Sequence, residues 1–327
     1  MERGAALRER LTRGAPLLLD GALGTELERR GVATPAPAWS AAALATAPDQ
    51  VLAVHRDFVR AGADLLTTNT FRTLARALPG APPGEAERLL ELAVHLARQA
   101  AGEAPADRAG PGGPAPVLVL GSMGPLEDCF RPDRVPTEPA LGREHATRAA
   151  ALLAAGVDGL LVETMNTRRE ALAALAAGRA TGLPVLVACV AADPERLLDG
   201  DRLDAVVPAL AEAGADAILV NCTPLAMTAR VVPGLARLVG DLPFGAYANN
   251  GYGSPARGSR TRGAPAPVAD SPAAPPSAPP SAAVSPAAYA RQAAGWLAAG
   301  ARLIGGCCGT TPAHIAALRA LLDDHSS

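Results

Sequence analysis

One pattern recurs four times in the chain and constrains the fold more than any other feature. It is a small-residue helix end, a glycine turn, then a β-rich run that closes in polar residues. The copies are Arg60-Ala-Gly-Ala-Asp-Leu-Leu-Thr-Thr-Asn-Thr, Ala155-Gly-Val-Asp-Gly-Leu-Leu-Val-Glu-Thr, Ala213-Gly-Ala-Asp-Ala-Ile-Leu-Val-Asn-Cys-Thr and Ala299-Gly-Ala-Arg-Leu-Ile-Gly-Gly-Cys-Cys-Gly. Gly62, Gly156, Gly214 and Gly300 stand where the backbone leaves a helix left-handed, a conformation that penalises any side chain. Further apolar runs lie between the copies, at residues 17–19, 117–120, 185–190 and 244–247. Eight strands alternating with helical stretches such as 86–100 and 143–155 are therefore expected.

The strands are continuous apolar runs without alternation, which predicts a parallel sheet covered on both faces. Eight such units in a chain of 327 residues fit a (β/α)8 TIM barrel spanning 1–327 as one domain. A doubly wound open sheet is the competing arrangement, because periodicity does not reveal whether the sheet closes. In a barrel, active sites form at the C-terminal strand ends. Those ends here read Asp20-Gly, Thr67-Thr-Asn-Thr, Gly121-Ser-Met-Gly, Glu163-Thr, Asn221-Cys, Asn249-Asn-Gly and Gly306-Cys-Cys-Gly, all polar, small or thiol-bearing.

Two stretches fall outside the repeat. Residues 102–116 form a loop before the third strand. Residues 254–284, rich in Pro, Ala and Ser, read as a flexible, disordered insertion after the seventh strand: a tolerated low-complexity segment in the plainer view, a lid in the other. Ser285-Pro286 restarts a helix as N-cap and first residue, and Thr311-Pro312 does the same for the last one, whose Ile315, Leu318 and Leu322 share one face.

Composition narrows the function classes. At 49% hydrophobic but 3% aromatic, the core rests on Ala, Leu and Val. A net charge of −2 with no polybasic stretch argues against nucleic acid and membrane as partners. No run reaches the roughly 18 apolar residues of a membrane span. Five cysteines, an odd number with two adjacent, suit a reducing compartment and predict a cytoplasmic protein.

The adjacent pair is Cys307-Cys308, closing the eighth strand, and Cys222 closes the sixth. Consecutive cysteines are poorly placed to bond each other, whereas three thiols at strand ends form the donor set of a zinc site with one open position. The plainer alternative is that they are small buried hydrophobes. That alternative suits Cys189, inside an apolar run, and Cys129 also reads as unligated. For the pair it suits less well, since Gly305, Gly306 and Gly309 pack poorly but permit a kinked backbone. His314 reads as a structural hydrogen-bonding residue, and His55, His95 and His145 as packing or surface residues.

Taken in order, Asp20-Gly-Ala-Leu-Gly-Thr-Glu, Thr67-Thr-Asn-Thr-Phe, Glu163-Thr, Asn221-Cys-Thr-Pro and Gly305-Gly-Cys-Cys-Gly-Thr-Thr-Pro-Ala-His-Ile resemble the homocysteine S-methyltransferase family. The resemblance covers the chain apart from 102–116 and 254–284. It implies Zn2+ held by Cys222, Cys307 and Cys308, and a substrate ammonium held by Asp20 and Glu163. Without it, Asp20 could simply form a turn, and Glu163 could pair with Arg168 or Arg169. Gly21, Gly24 and Thr25 offer a glycine turn to the substrate carboxylate; with no lysine in the chain, this turn is not a phosphate loop.

Asn69 and Asn249 are expected to line the pocket, and Trp39 either covers it or packs ordinarily. Arg72 replaces an aromatic of the betaine-using relatives, and Thr164 replaces a tyrosine of some others, both against betaine. The expected activity is transfer of a methyl group from a small sulfonium, S-methylmethionine or S-adenosylmethionine, to homocysteine, forming methionine. Alternatives are another thiol or selenol acceptor, betaine as donor, or a barrel serving a separate cobalamin protein. Only small molecules are expected as partners, and the sequence leaves the oligomeric state open.

Overall fold

The computed structural model describes residues 4–105, 109–110, 113–251 and 283–325. Eight strands alternate with eight helices: β1 (Leu17–Leu18), α1 (Pro48–Arg60), β2 (Leu65–Thr67), α2 (Glu85–Gly102), β3 (Leu118–Met123), α3 (Glu138–Ala155), β4 (Gly159–Met165), α4 (Arg168–Arg179), β5 (Val185–Cys189), α5 (Leu203–Glu212), β6 (Ala217–Pro224), α6 (Leu225–Leu238), β7 (Phe244–Asn249), α7 (Pro286–Ala298), β8 (Leu303–Gly306) and α8 (Pro312–His325). Each strand lies parallel to its neighbours in chain order, and β8 pairs with β1 through Leu17↔Leu303. A parallel bridge, Leu19↔Leu65, brings β2 back to β1. That bridge decides for the barrel over the open sheet.

Strand residues alternate between two apolar layers. Leu17, Leu19, Leu65, Leu120, Leu161 and Leu303 fill the interior, while their neighbours Leu18, Leu66, Val119, Leu160, Val162 and Ile304 pack against the helices. Both faces are buried, so the runs carry no polar alternation. Leu7 and Leu11 of an additional helix, Ala5–Arg13, join the interior layer and plug one end of it.

The recurring pattern precedes every second strand: β2, β4, β6 and β8. Its four glycines all have positive φ. In three copies the following Asp pins the preceding strand. Asp64 accepts from the Leu18 N–H (3.0 Å), Asp158 from Val119 (2.7 Å) and Asp216 from Val185 (2.8 Å). Arg319, Arg98 and Arg179 stand beside these carboxylates at 2.5, 2.7 and 4.0 Å. In the fourth copy Arg302 replaces the Asp and instead donates to the Leu11 carbonyl of the plugging helix.

Boundaries shift modestly. β3 starts at Leu118, and α3 starts at Glu138 because Thr137 is extended and a proline occupies the first turn. The stretch 102–116 is not all loop, as Gly102 ends α2 and Ala109↔Pro114 pair in a short antiparallel ribbon. Of the insertion, residues 252–282 lie outside the described residues. Ser285 caps α7 as expected, accepting from the Ala288 N–H. No helix among the described residues is long and apolar enough to cross a membrane.

Candidate active site

The alternation that builds the interior also delivers the polar groups. Two residues beyond Leu120 and Leu161 on the same faces stand Ser122 and Glu163, and Tyr247 and Cys307 join the interior layer directly. Cys222 arrives differently. β6 carries one extra residue against β7 between Asn221 and Pro224, and Cys222 in that bulge has φ 48°. β4 carries a matching bulge between Val162 and Met165, with Thr164 at φ 60°. Asn221 ties the two bulges, accepting from the Thr164 N–H (3.1 Å) and donating to its hydroxyl (2.9 Å). A left-handed β-branched residue costs on the order of 1–3 kcal/mol, so this buried pair of hydrogen bonds holds a strained backbone in place.

The result is a cluster. The sulfurs of Cys222, Cys307 and Cys308 all lie within 4.8 Å of one another. Their main chains are fixed on every side. The Cys307 N–H donates to Ala248 O (2.9 Å), the Asn250 N–H to Cys308 O (2.8 Å), and the Asn249 side chain to Cys222 O (2.9 Å). Thr310 donates its hydroxyl to Cys307 O (2.8 Å), and Gly306 cannot carry a side chain because a Cβ there would stand 2.2 Å from that hydroxyl.

Without a cation the thiols compete. Cys222, hydrogen-bonded to Cys307 and Cys308 and buried, is held well above the usual thiol range. Cys308, on which both partners' hydrogen bonds act, falls well below it. Three thiolates so close cannot all persist unless a positive ion sits among them. Tetrahedral sulfurs at about 2.3 Å from one ion stand roughly 3.8 Å apart, so the donor set fits a thiophilic divalent metal.

Beside the sulfurs lie two carboxylates, Asp20 buried and Glu163 half-buried. Asp20 accepts from the Thr67 N–H at 2.8 Å, and burial pushes its carboxyl up to about 8, with the Glu163 charge adding to the rise. Glu163 accepts from Ser122 Oγ (2.5 Å) and Tyr247 OH (3.1 Å), and burial, reinforced by Cys307, raises it to about 7. It forms no ion pair with Arg168, whose main-chain N–H donates to Asp201, or with Arg169, whose guanidinium donates to the Val135 and Pro136 carbonyls. Neither carboxylate has a cation in ion-pair contact among the described residues, so burial acts on both without a paired charge to offset it.

The remaining expected residues act mainly on the frame. Thr25 accepts from the Gly309 N–H (3.0 Å), joining the first loop to the cysteine loop. Gly21 and Gly24 permit close packing, since a Cβ at either would stand 2.6 Å from Phe58 or 2.3 Å from the Trp39 ring. Asn69 donates to Ser40 O (2.9 Å). Asn249 Oδ1 is buried with no partner among the described residues.

Trp39 donates to Glu28 (3.0 Å) and meets Phe71 edge-on, ring centroids 6.3 Å apart. Arg72 is spent on the Pro37 and Glu127 carbonyls. Cys189 faces the outer layer and Cys129 stands outside the sulfur cluster; burial raises both thiols. His314 accepts from the Thr311 N–H and contacts Val284 O, a structural role. Ser122 and Asn221 stood among the expected strand ends and Tyr247 within the seventh apolar run, all three without an assigned role; the spacing from Leu120 was a usable signal for the first.

A profile of the homocysteine S-methyltransferase family matches residues 17–322. The chain belongs to the homocysteine S-methyltransferase family. It is 35% identical to the homocysteine S-methyltransferase of Escherichia coli K12, over 98% of this chain and 99% of that one. It is 30% identical to homocysteine S-methyltransferase 4 of Zea mays, over 93% and 89%. The crystal structure of the homocysteine methyltransferase MmuM from Escherichia coli in its metallated form superposes with a TM-score of 0.76, at 33% identity over 96% of this chain and 99% of that one. A family fold, a sulfur cluster that fits a metal, and the Asp20 and Glu163 carboxylates therefore coincide at one end of the barrel.

Proposed function

We propose that this enzyme transfers a methyl group from a small sulfonium to homocysteine, giving methionine, with Zn2+ held by Cys222, Cys307 and Cys308. The observation that carries the reading is the sulfur cluster beside Asp20 and Glu163, which matches an amino acid bearing a thiol. When bound in such a site, zinc lowers the pKa of a fourth sulfur so that it stands as thiolate at neutral pH. The rest falls to the chain itself. Asp20 and Glu163 receive the substrate ammonium, which favours their ionised forms. Ser122 and Tyr247 hold Glu163 in its aim, and the buried pocket keeps these charges strong.

In the transfer the substrate sulfur forms a bond to the methyl carbon as the donor's S–CH3 bond breaks. The bonding pair returns to the donor sulfur, which leaves as a neutral thioether, and the thiol proton goes to solvent. Trp39 and Phe71, with Glu28 behind the indole, offer aromatic faces and negative charge to a cationic donor.

A panel of methyl-labelled S-methylmethionine, S-adenosylmethionine and betaine with L-homocysteine tests the reading. Labelled methionine is expected with a sulfonium donor. Methionine with betaine alone, or none with any donor, would remove the sulfonium.

A further inference from the structure

Arg148, on the inner face of α3, is a charged side chain near the pocket that neither the metal site nor the carboxylate pair explains. It is 5% exposed. Among the described residues no carboxylate stands within 4.0 Å of its guanidinium, which is unusual because a buried cation without a paired anion is costly. Its two terminal nitrogens donate to main-chain carbonyls instead, while Nε is buried with no partner among the described residues. Nη2 reaches Thr70 O at 2.7 Å and, more weakly, Ser122 O and Phe71 O at 3.4 Å, while Nη1 reaches Gly124 O at 3.0 Å. These carbonyls belong to the ends of β2 and β3, so one side chain ties two active-site loops together.

Ser122 is where those ties converge. Its carbonyl also accepts from the Thr70 hydroxyl (2.8 Å), its N–H donates to the Thr68 hydroxyl (3.1 Å), and its own hydroxyl donates to Glu163. The guanidinium thus stands one residue behind Glu163, fixing the group that aims it. Arg148 and Glu163 attract one another across that gap, and Glu170 is the other carboxylate acting on the guanidinium. A buried, uncompensated positive charge placed there makes sense if its counter-charge is the carboxylate that must present itself to a substrate amine.

We propose that Arg148 is a positioning residue for the substrate's amino group, acting through Ser122 on Glu163. The inference rests on the reading of Asp20 and Glu163 as the ammonium subsite. It assigns to Arg148 no contact with substrate and no part in holding the metal. Its loss therefore weakens recognition of the amine and leaves recognition of the thiol intact. A purely structural role, by contrast, would weaken both.

The test compares L-homocysteine with 4-mercaptobutanoate, which keeps the thiol and carboxylate and lacks the amine, as competing ligands of the zinc-loaded enzyme. For wild type, homocysteine should bind at least tenfold more tightly. Arg148→Met is expected to weaken homocysteine about tenfold, to change 4-mercaptobutanoate less than about twofold, and to leave kcat at saturating homocysteine and the zinc stoichiometry close to wild type. Arg148→Lys, which keeps the charge but reaches fewer carbonyls, should fall between. Ser122→Ala should reproduce the selective loss, and the double variant should be little worse than either single, because both cut the same chain of contacts.

Equal weakening of the two ligands, or none, would overturn the inference, as would strict additivity of the two substitutions. If Arg148→Met does not fold, Arg148→Lys and Ser122→Ala carry the same comparison. If wild type itself does not distinguish the ligands, the ammonium subsite falls and this inference falls with it. A wild type that prefers homocysteine, with variants that keep the same preference, sinks Arg148 alone.

Discussion

The two ends of the barrel are built on opposite principles. At the N-terminal end of the strands, Asp64, Asp158 and Asp216 each take a strand N–H and stand against an arginine, and Leu7 and Leu11 fill the opening. At the C-terminal end, three non-glycine residues have positive φ, Trp39, Thr164 and Cys222, and two carboxylates and three thiols are crowded without opposite charges in contact. One end pairs its carboxylates with arginines, and the other leaves its carboxylates and thiols without a cation in contact. The contrast teaches where stability and function separate: substitutions below should cost folding, and substitutions above should cost ligands.

The sharpest way to break that contrast is to remove a sulfur. Cys308→Ala is expected to drop bound metal from about one per chain to less than about a tenth, and turnover by about a thousandfold, with the melting temperature of the metal-free protein little changed. Metal analysis beside a thermal scan reads it; full metal occupancy would take Cys308 out of the ligand set. Next, at the opposite end, Asp64→Ala leaves the Arg319 charge largely buried and the Leu18 N–H bereft of its side-chain acceptor. A loss of about 3–5 kcal/mol in chemical denaturation is expected, with turnover per folded molecule unchanged.

A third prediction concerns pH. Asp20 is raised from its ordinary 3.8 to about 8, so between those values the native state binds more protons than the unfolded chain. Stability of the substrate-free protein should therefore fall as pH rises from 4 to 8, by at most about 1.4 kcal/mol per unit from this group. Asp20→Asn should flatten that slope; an unchanged slope would mean that Asp20 is already ionised in the empty site. The smallest effect is expected from Ser285→Ala, which removes the α7 cap at a cost of about 1 kcal/mol and leaves metal content unchanged.

The barrel was legible because its glycine turns and apolar runs are local signals, and each copy of the repeat states its own helix end and strand. The cysteines were legible because adjacent thiols among glycines have few structural uses. The bulges at Thr164 and Cys222 were not, since a single extra residue depends on the partner strand's register, which the sequence does not display. Tyr247 was hidden for a related reason: its inward direction follows from the closed ring. Arg148 looked like any helical arginine until two loops folded over it. The aspartates of the repeat were visible five or six residues before Asn69, Glu163 and Cys222, yet their task at the far end appears only when neighbouring strands are paired.

Glu163 faces inward because it stands an even number of positions past Leu161, and Ser122 stands likewise past Leu120. The chemistry is thus geared to the core like teeth on one wheel. Exchanging a reactive side chain for another leaves the gearing intact, so new acceptors and donors are open to substitution. Deleting a single residue within β3 or β4 would turn the working group outward into hydrocarbon and bring a neighbour in its place, Gly121 or Met123 in β3 and Val162 or Thr164 in β4, which makes length, more than identity, the feature of these strands that variation can least disturb.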